Sequence, residues 1–405
     1  MIEISENVIY VRGARKGAIY NFNDQNLYWI NSESCELIQK LVAIGKCHFT
    51  VEEEEYLLTL EKMGLYDPRF KPKEFQIESC KEKRLELAWL EITQACNCRC
   101  LHCYQGEYHF KNTDCLELNN WIDIINQLNE LNVSRVVVIG GEPCVHKDIC
   151  AILEELASKG IMTTLFTNAT LIDDNLFDII LANKRYIQLK VSLYGQTEEI
   201  HDKITQVKGS FNRLISNVKK LTINGVRVDI AVVVMRENEE FIEGIESFIE
   251  SLGAHYSKFD VIRNVFGGTQ NQHTPTNQNI INSVKFVCPK FKADKKRFLN
   301  NVSCNSCWYG KIAITDSGQV LPCVFERDIF YGNVKDQSLR DIIHSSTAEK
   351  FWSMSFDFID GCKDCEFRYA CKDCRPLGKS VSGNLYHKNP RCCYNPYEGE
   401  WRSNI

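Results

Sequence analysis

From about residue 85 onward the chain alternates between strand-like and helix-like patterns, which restricts it to few folds. Leu118, Trp121 and Ile125, for example, recur at helical spacing after the first apolar run. Repeated β/α units predict an α/β fold with a parallel sheet, right-handed crossovers and a closed or partly closed barrel. Reactive groups in such barrels lie at the C-terminal ends of the strands. The expected strands are LELAWLEITQ (85–94), SRVVVIGGEP (134–143), IMTTLFTN (161–168), IQLKVSLYG (187–195), VRVDIAVVVM (226–235) and Ala254–Arg263.

Composition narrows the class of protein further. A length of 405 residues suits two or three domains, and a net charge of −5 argues against a nucleic-acid surface. The chain has no run of 18 apolar residues, and its start, MIEISENVIYV, does not resemble a signal peptide. We therefore expect a cytoplasmic protein without a membrane partner. In that setting its 20 cysteines indicate metal or redox chemistry more than disulfides.

Three cysteines follow the first predicted strand in a C-x3-C-x2-C pattern: Cys96, Cys100 and Cys103. Three thiolates on one loop suit three irons of a 4Fe–4S cluster and leave the fourth iron open to a small molecule. Zinc is the alternative, although zinc usually takes four ligands in two C-x2-C pairs. Cys98 interrupts the pattern, and we interpret it as a bystander thiol. Tyr104 either packs on the loop or approaches a ligand.

Short polar or glycine-containing turns close the next three predicted strands. Gly140 and Gly141 precede Glu142 and would let the backbone approach a ligand, or would simply make a tight turn. Asn168 after the third strand could touch a ligand or cap a helix. Ser192 lies at the end of the fourth. Each signal is weak alone, but together they mark one edge of the sheet.

With these turns in order behind the cysteine triad, the middle of the chain resembles the radical S-adenosylmethionine (radical SAM) enzymes. The resemblance implies that the open iron takes SAM, whose reductive cleavage gives a 5′-deoxyadenosyl radical that abstracts hydrogen. It also implies SAM contacts from Gly140, Gly141, Glu142, Asn168, Ser192 and Tyr104. The chain departs from the family pattern in three places. Ala169 replaces a usual glycine, and Tyr194 replaces a usual acid. The arginine that some members carry near the position of Thr205 is absent.

Residues 304–393 contain nine cysteines, more than one zinc ribbon requires. Their spacing resembles the SPASM domain, which carries up to two auxiliary 4Fe–4S clusters in radical SAM enzymes, although Cys371-x2-Cys374 is one residue short. The resemblance implies a first auxiliary cluster and a second one. The ligands of the first are Cys307, Cys323 and Cys374, completed by Cys304 or by the less favoured Cys288. Those of the second are Cys362, Cys365, Cys371 and either Cys392, slightly favoured, or Cys393.

The first 64 residues have a different pattern. NVIYVRG, GAIYNFN and NLYWIN predict three strands, SESCELIQKLVAI predicts a helix, and Thr50 with Glu53 forms a capping box before a second helix. This pattern predicts a winged helix-turn-helix, for which DNA binding is the usual role, but the Glu52–Glu55 run opposes DNA. The segment resembles the PqqD-like domain that binds leader peptides as an added strand. Residues 65–84 predict a linker, 85–285 the barrel and 286–405 the SPASM domain.

The whole pattern resembles radical SAM/SPASM peptide maturases. The resemblance implies an enzyme that installs a thioether or carbon–carbon cross-link in a ribosomally synthesised precursor peptide. Its implied partners are that peptide, with its leader on the N-terminal domain, and an external low-potential electron donor. One alternative is a maturase of a folded protein, such as an anaerobic sulfatase-maturing enzyme, which needs no leader-binding domain. The other is a non-enzymatic iron–sulfur scaffold, which would need no SAM pocket.

Overall fold

A computed structural model describes residues 1–42, 48–76, 84–106, 115–257, 259–263, 265 and 271–402. The chain forms two compact units. The first comprises Met1–Lys83, Lys285–Tyr309 and Trp352–Ile405, and the second comprises Arg84–Val284 and Gly310–Phe351. No described helix combines the length and apolar character needed to cross a membrane.

The strands of the described residues are β1 Ile2–Ser5, β2 Val8–Arg12, β3 Gly17–Asn21, β4 Asn26–Ile30, β5 Lys73–Glu74, β6 Leu87–Glu91, β7 Arg135–Ile139, β8 Met162–Thr167, β9 Ile187–Leu193, β10 Val228–Val234, β11 His255–Tyr256, β12 Asp260–Val261, β13 Lys311–Ile314, β14 Gln319–Leu321, β15 Gly332–Asn333, β16 Tyr394–Asn395 and β17 Glu400–Trp401. The helices are α1 Ser32–Val42, α2 Val51–Lys62, α3 Leu118–Glu130, α4 Ile149–Ser158, α5 Asp174–Ala182, α6 Glu198–Thr205, α7 Ser210–Ile223, α8 Ile245–Ser251, α9 Gln278–Ser283, α10 Lys295–Ser303, α11 Leu339–Ile343, α12 Ser346–Trp352 and α13 Arg375–Ser380.

The first unit begins with an antiparallel sheet in the order β4-β3-β2-β1-β5. The three predicted strands are confirmed as β2, β3 and β4, while β1 and β5 were not expected. The first predicted helix is α1, and its last two residues lie outside the described part of the chain. The capping box is confirmed, because the Thr50 side chain accepts a bond from the Glu53 amide and the Glu53 carboxylate accepts one from the Thr50 amide.

Residues 65–76 are attached to this N-terminal sheet at both ends of the segment and do not form a free linker. Leu65 is buried in the core beneath the sheet, and Tyr66 packs against the same core. Further along, Glu74 pairs with Ile2 when β5 adds to the edge of β1. The linker prediction is therefore wrong for these residues, because the burial of Leu65 and the pairing of Lys73 and Glu74 with β1 hold the segment against the sheet. Residues 77–83 lie outside the described residues.

The other face of the N-terminal sheet packs on the C-terminal segments of the same unit. The Tyr20 ring meets the Phe298 ring edge-on at 4.9 Å, and the Tyr20 hydroxyl donates to the Glu366 carbonyl at 2.8 Å. Trp29 contacts Phe367 with ring centroids 5.8 Å apart. Ile9, Val11 and Ala18 share a core with α10 and with Tyr369. The predicted boundary after residue 64 thus divides this unit, whereas the one after residue 285 falls one residue from its edge. Residues 310–351 of the predicted SPASM segment belong to the second unit.

The second unit is built on a sheet in the order β11-β10-β9-β8-β7-β6-β13-β14-β15, with β12 also paired to β10. Strands β6 to β12 are parallel, as the alternating sequence pattern predicts. The final predicted strand is divided into β11 and β12. On the far side of β6 the sheet continues into β13, so it is open, which agrees with a partial barrel. The C-terminal ends of β6 to β10 lie along one edge.

Candidate active site

The loop after β6 brings all four cysteines of the triad region to one cavity of about 410 Å³. Cys96, Cys98, Cys100 and Cys103 line it together with the ends of β7, β8 and β9. The loop is wound tightly, since the Cys103 amide donates to the Cys100 carbonyl at 3.1 Å and the Cys98 amide donates to the Cys96 sulfur at 3.3 Å. A hydrogen bond with Cys98, reinforced by burial, raises the pKa of the Cys96 thiol.

Gly140 and Gly141 are required by the closeness of the cysteine loop. A Cβ atom on Gly140 would lie 2.3 Å from the Thr93 carbonyl oxygen, and one on Gly141 would lie 2.4 Å from the Ala95 carbonyl oxygen. The Gly141 amide donates to the Thr93 carbonyl and the Glu142 amide donates to the Ala95 carbonyl, both at 2.8 Å. The glycine pair therefore joins the end of β7 directly to the loop, a role that the sequence pattern had not indicated.

The Glu142 side chain is 1% exposed and is bonded by its neighbours. Its carboxylate accepts from the Thr167 hydroxyl at 2.6 Å, the Asn168 amide at 2.7 Å and the Cys144 amide at 3.0 Å. Burial raises the pKa of the Glu142 carboxyl, while these donors oppose that rise. The carboxylate thus fixes the turn after β8 against the turn after β7.

Asn168 connects that turn to the cysteine loop. Its side-chain amide donates to Oδ1 of the Asn97 side chain at 2.8 Å and to the Cys98 sulfur at 3.5 Å. The next residue, Ala169, is buried and adopts a left-handed conformation with φ of 55°. Glycine adopts this conformation without strain, which explains why the family usually has glycine at this position. Alanine here costs about 1 kcal/mol of conformational free energy.

Ser192 and Tyr194, at the end of β9, line the same cavity with His102 and His201. The Tyr194 ring lies 4.8 Å from the His102 ring, edge to face. His201 is 1% exposed, and its Nδ1 accepts from the Tyr194 amide at 3.3 Å. Burial lowers the pKa of both histidines to about 4, so both are neutral near pH 7. The sequence analysis did not single out these two histidines. The signal that could have found them is their position in two loops that resemble the family's.

Tyr104 lies between the cavity and a buried ion pair. Its hydroxyl donates to Glu91 Oε1 at 3.3 Å, and its ring meets Phe325 at 5.2 Å. Glu91 is 3% exposed at the end of β6, and Arg327 Nη1 donates to its Oε2 at 2.7 Å. The pair was not anticipated, although an acid inside an otherwise apolar strand is a signal for a buried partner.

The residues around this cavity fit an iron–sulfur cluster with a small polar ligand beside it. Sulfur donors from one loop line a space that Gly140, Gly141, Asn168 and Ser192 also line. In the described part of the chain, no group of three or more His, Cys, Asp or Glu side chains is arranged to bind a single metal ion. A cubane cluster binds each thiolate to a different iron, so the donor set and the cavity are the relevant test.

A second group of thiols lies in the first unit. Burial raises the pKa of Cys362 well above its ordinary value, and the nearby charges of Asp373, Cys371 and Cys392 add to that rise. Burial and the charges of Cys392 and Asp373 likewise raise the pKa of Cys371 to about 12. Cys365 interacts with both Cys362 and Cys371. Each of these three thiols is thus influenced electrostatically by at least one other cysteine that was expected to bind the second auxiliary cluster.

Asp373 and the fully buried Arg375 hold the loop that carries these thiols. Their side chains form an ion pair, with Arg375 Nη2 donating to Asp373 Oδ1 at 2.9 Å. Arg375 Nη1 donates further to the carbonyls of Leu385 at 2.8 Å and His387 at 3.0 Å. This buried pair therefore connects the residues just after Cys371 to Leu385 and His387, which shortly precede Cys392.

The cysteines expected for a first auxiliary cluster are divided between the two units. Cys304, Cys307 and Cys374 belong to the first unit and Cys323 to the second. Cys304 is buried, whereas its alternative Cys288 is exposed. Cys307 begins a turn in which its amide donates to the Asn305 side chain at 2.8 Å.

Comparison with protein-family models agrees with this geometry. Residues 90–249 match the Radical SAM superfamily, and residues 304–366 match SPASM, an iron-sulfur cluster-binding domain. This chain belongs to the radical SAM/SPASM enzymes. The cofactors of this radical SAM/SPASM enzyme are 4Fe–4S clusters and SAM.

Among curated proteins, the chain is similar to the antilisterial bacteriocin subtilosin biosynthesis protein AlbA of Bacillus subtilis, with 27% identity over 76% of this chain and 70% of AlbA. It is 24% identical to an AdoMet-dependent heme synthase of Oleidesulfovibrio alaskensis, over 76% of this chain and 87% of the synthase. It is also 24% identical to the PqqA peptide cyclase of Gluconobacter oxydans, over 76% of this chain and 90% of the cyclase.

Two solved structures share the fold to different extents. Streptococcus suis SuiB bound to precursor peptide SuiA matches with a TM-score of 0.59 and 16% identity, covering 96% of this chain and 99% of SuiB. Native anSMEcpe with bound AdoMet matches with a TM-score of 0.55 and 17% identity, covering 77% of this chain and 94% of anSMEcpe. The SuiB fold therefore accounts for about a fifth more of this chain.

Proposed function

We propose that this radical SAM/SPASM enzyme cross-links a ribosomally synthesised precursor peptide, forming a thioether or carbon–carbon bond. The observation that carries the proposal is the 27% identity to AlbA across three quarters of the chain. The similarity to the PqqA peptide cyclase supports the same substrate class. The electron donor is an external low-potential carrier.

Each group at the cavity has a role in this reaction. Cys96, Cys100 and Cys103 hold the radical SAM cluster, and Gly140, Gly141, Asn168, Ser192 and Tyr104 surround SAM. Once bound, cluster and SAM supply a 5′-deoxyadenosyl radical that abstracts hydrogen from a peptide carbon. Glu142 is a positioning residue, because its carboxylate accepts three hydrogen bonds that join two turns. The neutral side chains of His102 and His201 bring no competing positive charge to the cavity.

The auxiliary sites take their ligands from the SPASM cysteines. In our proposal Cys304, Cys307, Cys323 and Cys374 bind the first auxiliary cluster. Cys362, Cys365, Cys371 and Cys392 bind the second. This is supported by the electrostatic influence of Cys371 on Cys362 and Cys365, and of Cys392 on Cys362 and Cys371.

The N-terminal sheet is the proposed site for the leader of the precursor. Phe22 donates its amide to the Asn7 carbonyl at 2.9 Å, which fixes the alternation of the ladder between β2 and β3. By the same alternation, Leu27 and Trp29 of β4 point their backbone groups away from β3.

Around Gln25 to Leu27 this edge of β4 already pairs with the chain itself, because the Ala293 amide donates to the Gln25 carbonyl and Asn26 forms an antiparallel bridge with Lys292. A leader peptide that adds as a strand would bond to the outward backbone groups of Trp29. A leader-binding edge also favours a precursor peptide over a folded protein as the substrate, because a maturase of folded proteins needs no leader-binding domain.

The test is the product formed from a precursor peptide encoded beside the gene. Reconstituted enzyme with SAM and reductant should convert the peptide to a species lighter by two hydrogen atoms, with 5′-deoxyadenosine released. Changing Cys96, Cys100 and Cys103 together to Ala should abolish both products. Unmodified peptide despite active SAM cleavage would reject this substrate class, and SAM cleavage by the triple variant would reject the cluster assignment.

A further inference from the structure

One short segment of the first unit has a charge opposite to that of the whole protein. Residues 285–297 contain six basic side chains and one acidic side chain, a local charge of +5 in a chain whose net charge is −5. The basic residues are Lys285, Lys290, Lys292, Lys295, Lys296 and Arg297, and the acidic residue is Asp294. A concentration of like charge against the general sign of a protein attracts partners of the other sign to that place.

The segment is held in a fixed shape by its neighbours. The Phe286 amide donates to the Arg391 carbonyl at 2.7 Å, and the Ala293 amide donates to the Gln25 carbonyl at 2.9 Å. The Phe291 ring stacks on Phe367 with centroids 5.0 Å apart. Asp294 uses its carboxylate to cap α10 by accepting from the Arg297 amide at 2.7 Å. The lysines therefore project from an anchored backbone.

These side chains border a cavity of about 360 Å³, here called the basic cavity, whose lining includes Lys290, Lys292, Arg297, Lys372 and Cys371. Asp294 also lines it, with its carboxylate turned to the helix cap. Lys290, Lys292 and Lys372 are exposed, and their ammonium groups form no salt bridge to any residue that the structure describes. Unpaired charge is thus concentrated around one of the four thiols proposed for the second auxiliary cluster.

We propose that the basic cavity is the docking surface for a small acidic one-electron carrier, a flavin or iron–sulfur protein. Electron transfer requires close approach, and Cys371 is the proposed cluster ligand that lines this surface. Opposite charges raise association rates by roughly 10- to 1,000-fold, so a carrier repelled by the rest of the molecule is directed here. The leader peptide has its proposed position at Trp29, beyond the part of β4 that pairs with this segment.

The inference rests on the proposed cross-linking function for its electron balance. The peptide loses one hydrogen atom to the adenosyl radical, then one proton and one electron as the new bond forms. The docked oxidised carrier accepts that electron and is reduced by one electron, while the proton goes to solvent. SAM cleavage consumes one electron from a reduced carrier of the same class, so the complete cycle needs no net oxidant.

The direct test is the affinity of the holoenzyme for an acidic flavodoxin, used as the probe and measured by calorimetry at low and moderate salt. The test variant combines Lys290→Glu, Lys292→Glu and Lys372→Glu. The control combines Lys62→Glu, Lys208→Glu and Lys219→Glu, three exposed lysines elsewhere with the same change in net charge. We expect the test variant to weaken binding at least about tenfold and the control to change it less than about twofold.

Equal losses in the two variants would overturn the proposal, because net charge alone would then explain binding. A test variant that binds the carrier normally but loses affinity for the precursor peptide would assign the cavity to the leader and overturn it too. Dithionite-driven SAM cleavage reports whether the radical site is intact in every variant. Normal carrier binding at this surface without any cross-linked product would leave docking in place and reject the proposed function instead.

Discussion

Cys392 and Cys393 are neighbours in sequence but have different surroundings. Cys392 influences the thiols of Cys362 and Cys371 electrostatically. Cys393 is 2% exposed, and its amide and carbonyl bond to the Phe286 carbonyl and the Arg402 amide. A spacing pattern cannot separate two adjacent cysteines, because either could reach a cluster from the same loop; the backbone pairing of Cys393 is a property of the folded chain.

We therefore expect Cys392→Ser to lower the iron content of the reconstituted enzyme by about four irons per chain, the content of one cubane. Cys393→Ser is the matched control and should keep the iron content of the wild type. Iron and acid-labile sulfide analysis measures both. The opposite result, with iron lost only from the Cys393 variant, would show that Cys393 and not Cys392 is the cluster ligand.

At the level of secondary structure, the β/α alternation was sufficient to predict β6 to β10, and the spacing of Thr50 and Glu53 was sufficient to predict the capping box of α2, because each has a local pattern. The last predicted strand was wrong in its continuity, since β11 and β12 are too short to carry a periodic signal. Glu91 shows the same limit within the site. Its partner Arg327 lies more than two hundred residues away, so no local pattern could connect them.

The β4 edge at Trp29 carries a prediction for leader binding. Trp29→Pro removes an outward-facing amide that a leader strand would use, while an edge strand tolerates proline at such a position. Trp29→Ala is the control, because it loses the same side-chain contacts with Phe367 and Glu366 but keeps the amide. We expect the proline variant to bind the precursor about 3- to 10-fold more weakly than the alanine variant, the value of one hydrogen bond. Equal affinities, measured by fluorescence anisotropy of a labelled leader, would place the leader elsewhere.

At the level of the whole molecule, the N-terminal sheet and the C-terminal segments form one unit with a shared core. Tyr20 and Phe298 are far apart in sequence, and only the folded chain brings them together. The boundary after residue 64 was a reasonable interpretation of composition, but it cuts through this core. Point variants are consequently better probes of leader binding than deletion of the N-terminal residues, which would expose apolar side chains of the remaining unit.

The central claim is that the radical formed at the triad acts on a peptide carbon. Its most direct test is isotope transfer from a uniformly deuterated precursor peptide incubated with enzyme, unlabelled SAM and reductant in ordinary water. The account predicts deuterium in the 5′-deoxyadenosine, together with a peptide product that has lost one carbon-bound deuterium if a thioether forms, because the thiol hydrogen exchanges with water, and two if a carbon–carbon bond forms. Unlabelled 5′-deoxyadenosine beside an unchanged peptide would contradict it.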